Sequence, residues 1–147
     1  MNKIILAVFF LLTTSYSTVI LGTETANASL ISKTSQPELF CLAQNIYYEA
    51  RGSSRADQMG VSDVVLNRVK DSRYPNTICE VVYQGKKKPS WKDPTKIVMV
   101  RNKCQFSWYC DGKADQPPIG DAWHNAQMVA YEMVYLYEKV NLSLIHI

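Results

Sequence analysis

Histidine is scarce in this chain. It has only His124 and His146, and neither is spaced like a zinc-binding motif. Hydrolytic zinc sites usually take three protein ligands, most often histidines, so we expect no metal and neither a zinc amidase nor a zinc protease. The chain also lacks a GxSxG motif, a glycine-rich phosphate-binding loop and any internal repeat. These absences argue against serine hydrolases, nucleotide-binding enzymes and solenoid proteins.

The chain also has only a small excess of positive over negative charge. The chain carries a formal net charge of +3 over 147 residues, which is too small a bias to indicate a nucleic-acid partner. It would favour contact with an anionic surface such as a bacterial wall. Hydrophobic residues make up 47% and charged residues 20%, as in an ordinary globular protein. The length predicts one domain.

The first 28 residues have the pattern of a secretory signal peptide. Lys3 precedes the apolar run Ile4 to Leu12, and Ala26-Asn27-Ala28 forms an A-x-A cleavage site before Ser29. The alternative is an uncleaved membrane anchor, although the strictly apolar run is short for a span. We therefore expect export to the periplasm, the cell wall or the extracellular space, with a membrane contact only through this segment. Residues 29–37 are predicted to be a linker, and residues 38–147 a single domain.

Four cysteines follow the predicted cleavage site: Cys41, Cys79, Cys104 and Cys110. An even number in an exported chain indicates disulfides, with three possible connectivities, and argues against a free thiol nucleophile. Cys104 and Cys110 are close enough in sequence to close a short loop, which would leave Cys41 with Cys79. Four free core thiols are the alternative.

Apolar spacing predicts a mainly helical domain. Ser35 and Glu38 are typical of a helix start with a capping box, and Gly52 is placed to end that helix. A second helix is predicted from the Ser-x-x-Asp at residue 54, a third from Asn76 and a long fourth from about Asp121. The long fourth helix would place Trp123 in the core.

The middle of the chain has weaker patterns. Residues 85–96 contain glycine, two prolines and five lysines, and are predicted to be a surface loop. Its Lys86–Lys88 run is either a solvated charge cluster or a contact for wall anions. Ile97–Val100 is predicted as a short strand or helix, and Gln105–Gly112 as an aromatic-rich turn. Trp91 and Trp108, both in predicted loops, are candidates for stacking on sugar rings.

Glu49 is the best candidate for carboxylate chemistry. It is predicted near the C-terminus of the first helix, where the helix dipole disfavours an ionised carboxylate. Neighbouring tyrosines would partly desolvate it, and both effects raise the pKa of a carboxyl group, as a general acid requires. A salt bridge with Arg51 would act in the opposite direction. The alternative is an ordinary surface glutamate in such a salt bridge.

Two segments resemble the SleB/CwlJ group of cell-wall hydrolases. They are LAQNIYYEARGSSRADQMGVSDVVLNRVKDSRYPNTICEVVYQ (Leu42–Gln84) and CQFSWYCDGK (Cys104–Lys113). The resemblance implies a mainly α (α+β) lysozyme-like fold: a single compact helical domain with irregular loops and room for a small β element. It implies cleavage of peptidoglycan glycan strands between N-acetylmuramic acid and N-acetylglucosamine, with Glu49 as catalytic acid. The positions of the matching motifs that are expected to shape the substrate groove are Tyr48, Asn67, Arg68, Gln105, Phe106, Ser107 and Asp111. Trp108, a candidate for stacking on sugar rings, is added to them.

The expected reaction is that of a lytic transglycosylase, which leaves 1,6-anhydro ends and needs no cofactor. A hydrolytic muramidase is the alternative, and it needs a second carboxylate from Asp57, Asp63 or Asp111, of which Asp111 is the best candidate. A secreted wall-binding module without catalysis is another alternative. The chain departs from the group at Ser53, where an acidic residue is frequent. Its apolar ending looks truncated beside the group's pattern. We expect a monomer.

Overall fold

A computed structural model describes the chain from residue 31 to residue 145, without the side chains of residues 137 and 140–145. The predicted signal peptide, residues 1–28, and His146 lie outside the described residues. Within residues 31–145, no helix is long and apolar enough to cross a membrane.

The described residues form a mainly α domain with one small sheet, as predicted. The elements are α1 (Pro37–Ala50), α2 (Arg55–Lys70), α3 (Ile78–Val82), β1 (Gly85–Pro89), β2 (Ile97–Cys104), a 3-10 helix (Ser107–Cys110) and α4 (Asp121–Ile145). The strands β1 and β2 pair antiparallel in a two-stranded sheet.

Helix α1 lies at the centre of the domain. The other three α-helices pack around it, so it buries residues on most of its sides. Leu42, Ala43 and Ile46 are fully enclosed. From α4, Trp123 packs edge-on against Phe40 with ring centroids 5.6 Å apart, which confirms its predicted place in the core. Burial of this many apolar side chains is the main stabilising contribution to the fold.

A helix starts where the sequence predicts if its cap is formed by residues that are close in the chain. Ser54 and Asp57 form a complete capping box at α2, as predicted. The predicted cap of α1 at Ser35 is wrong: the helix begins after Gln36, and Ser35 instead bonds Ser32. The carboxylate of Glu38, expected in that capping box, accepts a hydrogen bond of 3.1 Å from the backbone N–H of Cys79. Glu38 therefore serves the start of α3 rather than its own helix.

Two other predicted boundaries shift. Gly52 follows the end of α1 at Ala50, but it does not adopt a left-handed conformation, and Arg51 is the capping residue. Helix α3 begins after Thr77, whose side chain accepts from the N–H of Glu80, rather than at Asn76. Both shifts are of one or two residues and leave the helices themselves as predicted.

The predicted surface loop over residues 85–96 is wrong for its first five residues, which form β1. Lys88 pairs with Val98, and Pro89 pairs with Ile97. This strand could not be predicted from its own residues, because β1 is exposed along almost its whole length and so shows no alternation of apolar and polar residues. Of the two predictions for Ile97–Val100, the strand is confirmed, and it continues to Cys104.

The chain just before α1 packs on the domain. Ile31 is only 2% exposed and belongs to the main core cluster. The N–H of Gln36 donates to the carbonyl of Ser32 at 3.0 Å, which closes a turn. The described part of the predicted linker, residues 31–36, therefore contributes to the domain.

Both disulfides form with the pairing favoured by the sequence. Cys41–Cys79 joins the second turn of α1 to α3 across 38 residues of chain. Cys104–Cys110 joins the end of β2 to the 3-10 helix across six residues. The first bond holds two helices of the core together, and the second anchors the hairpin to the segment that follows it.

Removal of the two disulfides should have unequal effects on stability. A bond that closes a longer loop restricts the unfolded chain more, so Cys41→Ala/Cys79→Ala should lower the free energy of unfolding by about 4 kcal/mol. Cys104→Ala/Cys110→Ala, the matched control, should lower it by only about 2 kcal/mol. Urea unfolding of both double variants measures the difference. An equal loss in both would contradict the expectation.

Candidate active site

Glu49 lies in the last turn of α1 with no hydrogen-bond or ion-pair partner among the described residues. Arg51 does not pair with it; the Arg51 guanidinium lies 5.0 Å from the centroid of the Tyr47 ring. Glu49 is exposed overall, yet partial burial of its carboxyl raises its pKa above the ordinary value of 4.5, and no neighbouring charge contributes. The salt bridge considered as the alternative for Glu49 is therefore not formed.

Tyr48, the residue before Glu49, lies on top of a buried tryptophan. Its ring stacks on that of Trp108 with centroids 4.7 Å apart and planes 18° from parallel. Its hydroxyl donates to the carbonyl of Ala114 at 3.3 Å. Burial, followed by the charge of Asp115, raises the pKa of Tyr48. The tyrosine is thereby held as a neutral ring next to the candidate acid.

Trp108 is fixed from below by α1. Its indole N–H donates to the side-chain oxygen of Asn45 at 3.0 Å, and Asn45 is completely buried. Trp108 is only 7% exposed. This corrects the expectation that it offers a free face in a loop: the ring supports Tyr48 from the core, because its N–H is bonded inside the domain.

Gln44 holds the segment after the 3-10 helix against α1. Its amide N–H donates to the backbone carbonyl of Asp115, and its amide oxygen accepts from the Tyr83 hydroxyl. Gln44 and Tyr48 are one turn apart on the same helix face, so both anchor neighbouring parts of residues 114–115. A cavity of about 380 Å³ opens beside them, lined by Lys33, Phe40, Gln44, Tyr83, Tyr109, Asp115 and Gln116.

The aspartates near Tyr48 differ in their titration. The backbone N–H of Lys113 bonds the Asp111 carboxylate and lowers its pKa. Burial raises the pKa of Asp115, and the charge of Asp111 adds to this effect. Neither aspartate contributes to the raised pKa of Glu49. Asp57, another candidate second carboxylate, is occupied in the capping box of α2.

Arg68 forms a second group with two aromatic rings. Its guanidinium carbon lies 5.4 Å from the Tyr74 ring centroid and 5.6 Å from that of Phe106. One of its terminal nitrogens is buried and has no hydrogen-bond partner in the described part of the chain. The two rings thus hold the guanidinium in place, while the side chain as a whole is half-buried.

The remaining predicted groove residues lie at the surface. Asn67 is exposed on α2, and Gln105 and Ser107 are exposed on either side of the buried Phe106. The backbone N–H of Gln105 donates to the carbonyl of Gln84 at 2.9 Å, which ties this segment to the chain after α3. The structure thus brings Tyr48 and Trp108 together at the C-terminal end of α1, with Asp111 close enough to act on Tyr48 electrostatically, and it groups Arg68 with Phe106.

Sequence reasoning missed Gln44, Asn45, Tyr83 and Asp115. A usable signal was present: two adjacent amides, Gln44 and Asn45, interrupt an otherwise apolar helix. Buried amides are retained when they are hydrogen-bonded. They therefore indicate that another segment crosses the helix there. In the described residues, no group of three or more His, Cys, Asp or Glu side chains is placed to hold a metal ion.

Comparison with known proteins identifies the family. The profile described as Cell Wall Hydrolase matches residues 52–144, which is more than half of the chain. This chain belongs to the cell wall hydrolase family. Two spore cortex-lytic enzymes of Bacillus cereus are each 36% identical to it over 50 residues, which are 34% of this chain. The match spans only 19% of the length of these relatives, and no solved structure matches significantly.

The family match begins at Gly52, three residues after Glu49. It covers the predicted groove residues from Asn67 to Asp111 but not the candidate acid. The case for Glu49 therefore depends on its own geometry and on the motif around it. Tyr48 likewise lies outside the matched range, although its partner Trp108 lies inside it.

Asn45→Ala tests the support beneath the site. The change leaves the buried indole N–H of Trp108 without an acceptor, so the free energy of unfolding should fall by about 2–4 kcal/mol. Urea unfolding, followed by near-ultraviolet circular dichroism, would measure it. Ser107→Ala, on the exposed side of the same 3-10 helix, is the control and should change stability by less than about 0.5 kcal/mol. Equal stability of the Asn45 variant and the control would show that the bond is dispensable.

Proposed function

We propose that this chain cleaves peptidoglycan glycan strands between N-acetylmuramic acid and N-acetylglucosamine, with Glu49 as the catalytic acid. The observation that carries the proposal is the state of Glu49: an exposed, unpaired carboxyl whose pKa is raised by partial burial. A general acid must be protonated and accessible at the working pH, and these properties favour both. Membership in the cell wall hydrolase family and the likeness to spore cortex-lytic enzymes support this substrate class.

In the first step, the protonated Glu49 donates to the glycosidic oxygen as the bond to muramic acid breaks. Positive charge develops on the sugar as an oxocarbenium ion, and the leaving sugar departs as an alcohol. The position of Glu49 at the C-terminal end of α1 favours its neutral form before the reaction, because the helix dipole disfavours a carboxylate there. The released carboxylate is then the only new anion in the site.

In the second step, that carboxylate removes the proton from the C6 hydroxyl of muramic acid. The C6 oxygen forms a bond to C1, which gives a 1,6-anhydro end and restores protonated Glu49. One carboxyl thus serves as acid and then base. The lack of any carboxylate among the causes of the Glu49 pKa shift favours this single-carboxyl route over a closely coupled pair.

The proposed groove uses the surface around the Tyr48–Trp108 stack. Tyr48 precedes Glu49 in the last turns of α1, and the buried Trp108 fixes the position of the Tyr48 ring. Asn67, Gln105 and Ser107 are exposed and able to bond sugar hydroxyls and acetamido groups. Arg68, a half-buried cation held beside Phe106, is the proposed partner for a carboxylate of muramic acid or its peptide. Asp111 and Phe106 are the other two residues of the proposed groove.

Hydrolysis remains the second candidate because of Asp111. The bond from Lys113 lowers the pKa of Asp111, so it stays a carboxylate where Glu49 is protonated. Such a pair of one acid and one carboxylate is what an inverting or retaining glycosidase uses. Asp111 would then activate water or stabilise the sugar cation.

We further propose that the protein is exported after removal of residues 1–28 and acts as a monomer in the periplasm, the wall or outside the cell. The two disulfides support an oxidising compartment. The alternative function at the same location is that of a wall-binding module without catalysis. Turnover of wall material would distinguish an enzyme from such a module.

Glu49→Gln should abolish cleavage. Loss of a positioned general acid and base should lower the rate of fragment release from purified peptidoglycan by about 100-fold to 10,000-fold. Glu138→Gln, the same change at an exposed position of α4, is the matched control and should keep full activity. Mass spectrometry of the fragments should find 1,6-anhydro muramic ends with the unchanged protein. Reducing ends instead would favour hydrolysis, and full activity of Glu49→Gln would contradict the proposal.

The pH profile provides an independent check. Activity requires protonated Glu49, so it should be present at low pH and fall as the pH rises through the pKa of this group. Since burial raises that pKa above 4.5, the fall should be displaced upward from that of an ordinary glutamate. Asp111→Asn removes a proposed groove residue and should lower the rate, but it should leave the pH at which activity falls and the anhydro product unchanged. Reducing ends from the unchanged protein, together with loss of all release by Asp111→Asn with a normal unfolding curve, would support the hydrolytic route instead.

A further inference from the structure

The β1–β2 hairpin carries more positive charge than the whole chain. Residues 85–104 contain seven cations, namely Lys86, Lys87, Lys88, Lys92, Lys96, Arg101 and Lys103, and one anion, Asp93. Their net charge is therefore +6, whereas the whole chain has +3. The other residues together carry −3. The positive charge of this protein is thus concentrated on one projecting element.

Most of these cations have no internal partner. Asp93 is held by Thr95 and pairs with Lys96 at 3.3 Å. The described residues provide no carboxylate for the run Lys86–Lys88 or for Lys92, and all four side chains are exposed. A set of unpaired lysines on one hairpin attracts polyanionic surfaces, because their charges act together within a Debye length of the surface.

The same hairpin exposes large apolar side chains. Trp91, in the turn between the strands, is 86% exposed, and Lys92 is its contact, with Nζ 5.4 Å from the ring centroid. Ile97 is 60% exposed and Val98 is 39% exposed at the start of β2. Tryptophan and aliphatic residues beside lysines are the combination that enters the boundary between lipid headgroups and acyl chains.

We propose that the β1–β2 hairpin docks this protein on the surface of an anionic phospholipid bilayer. Trp91, with Ile97 and Val98, would enter the interface, while the lysines bind headgroup phosphates. A soluble polyanion, such as a phosphate-containing wall polymer, would need only the lysines and leaves the exposed apolar tip unexplained. The lipid surface accounts for both features, so it is the occupant to which the proposal commits.

Docking would also orient the domain. The base of the hairpin is bonded to the 3-10 helix through Cys104–Cys110, and that helix carries Trp108 beneath Tyr48. A hairpin held at the membrane therefore fixes the direction in which the Tyr48 surface faces. This inference does not depend on the chemistry proposed for Glu49, because it uses only the charge, exposure and connections of residues 85–110.

The tryptophan content provides a specific probe of the hairpin. Trp91 is exposed, whereas Trp108 and Trp123 are only 7% and 8% exposed, and residues 1–30 contain no tryptophan. With the chain after removal of residues 1–28, as the proposed export leaves it, vesicles of phosphatidylglycerol and phosphatidylcholine should shift the Trp91 emission to the blue and protect it from acrylamide. Vesicles of phosphatidylcholine alone should not. Trp91→Ala should remove the response, which assigns the signal to this residue.

The charge requirement is tested by two matched triple variants. Lys86→Gln/Lys87→Gln/Lys88→Gln should raise the lipid concentration needed for half of the emission shift by about 100-fold, since each lysine contributes independently. Lys33→Gln/Lys113→Gln/Lys139→Gln removes the same amount of charge outside the hairpin and should change that lipid concentration by less than about twofold. High salt should abolish the shift of the unchanged protein.

Three results would overturn the proposal. One is an unchanged Trp91 emission at any amount of anionic lipid. Another is an equal loss in the two triple variants, which would mean that net charge alone matters. The third is a response to a soluble phosphate polymer with none to vesicles, which would assign the hairpin to a wall polyanion. Fragment release from peptidoglycan by the same preparations keeps the outcome separate from that of the catalytic proposal.

Discussion

The enclosure of α1 is the constraint on which the rest of this structure depends. The other three α-helices pack around it, and its middle contains amides as well as apolar residues. A buried amide is costly unless it is bonded, so Gln44 and Asn45 need partners from outside the helix. The amide N–H of Gln44 and the side-chain oxygen of Asn45 find them in the segment from the 3-10 helix to Asp115. The core thereby determines where that irregular segment lies, and with it the support of Tyr48.

The same enclosure explains why the end of α1 suits an acid. The helix is held along its length and emerges at Glu49, so the carboxyl projects from a rigid element into a site that is neither fully buried nor fully solvated. Arg51, the nearest cation in sequence, is engaged with the Tyr47 ring instead. A neutral carboxyl at a helix C-terminus is electrostatically favoured over an ionised one. Rigid placement and a raised pKa thus arise from one structural cause.

The features that could be predicted from the sequence are those that depend on residues close together in the chain. The capping box at Ser54 and the long α4 depend on residues a few positions apart, and the sequence predicts both. The short Cys104–Cys110 loop is also local, and it left one partner for Cys41. The cap that Glu38 provides to α3 links residues 41 positions apart, and the exposed strand β1 is specified by pairing rather than by its own pattern. At the candidate site, the predicted position of Glu49 near the end of the first helix is confirmed, whereas the burial of Trp108 could not be predicted, because its acceptor Asn45 is 63 positions away.

The charge distribution connects the site with the hairpin. Since residues 85–104 carry +6, the remaining chain carries −3, and Asp111 and Asp115 both add negative potential at Tyr48. An anionic bilayer of the proposed kind would attract the hairpin and repel the two carboxylates that act on Tyr48, so neither effect favours contact of Tyr48 with the lipid. Removal of positive charge from the hairpin would therefore weaken the proposed attachment, while no charge of the hairpin is among the causes of the raised pKa of Glu49.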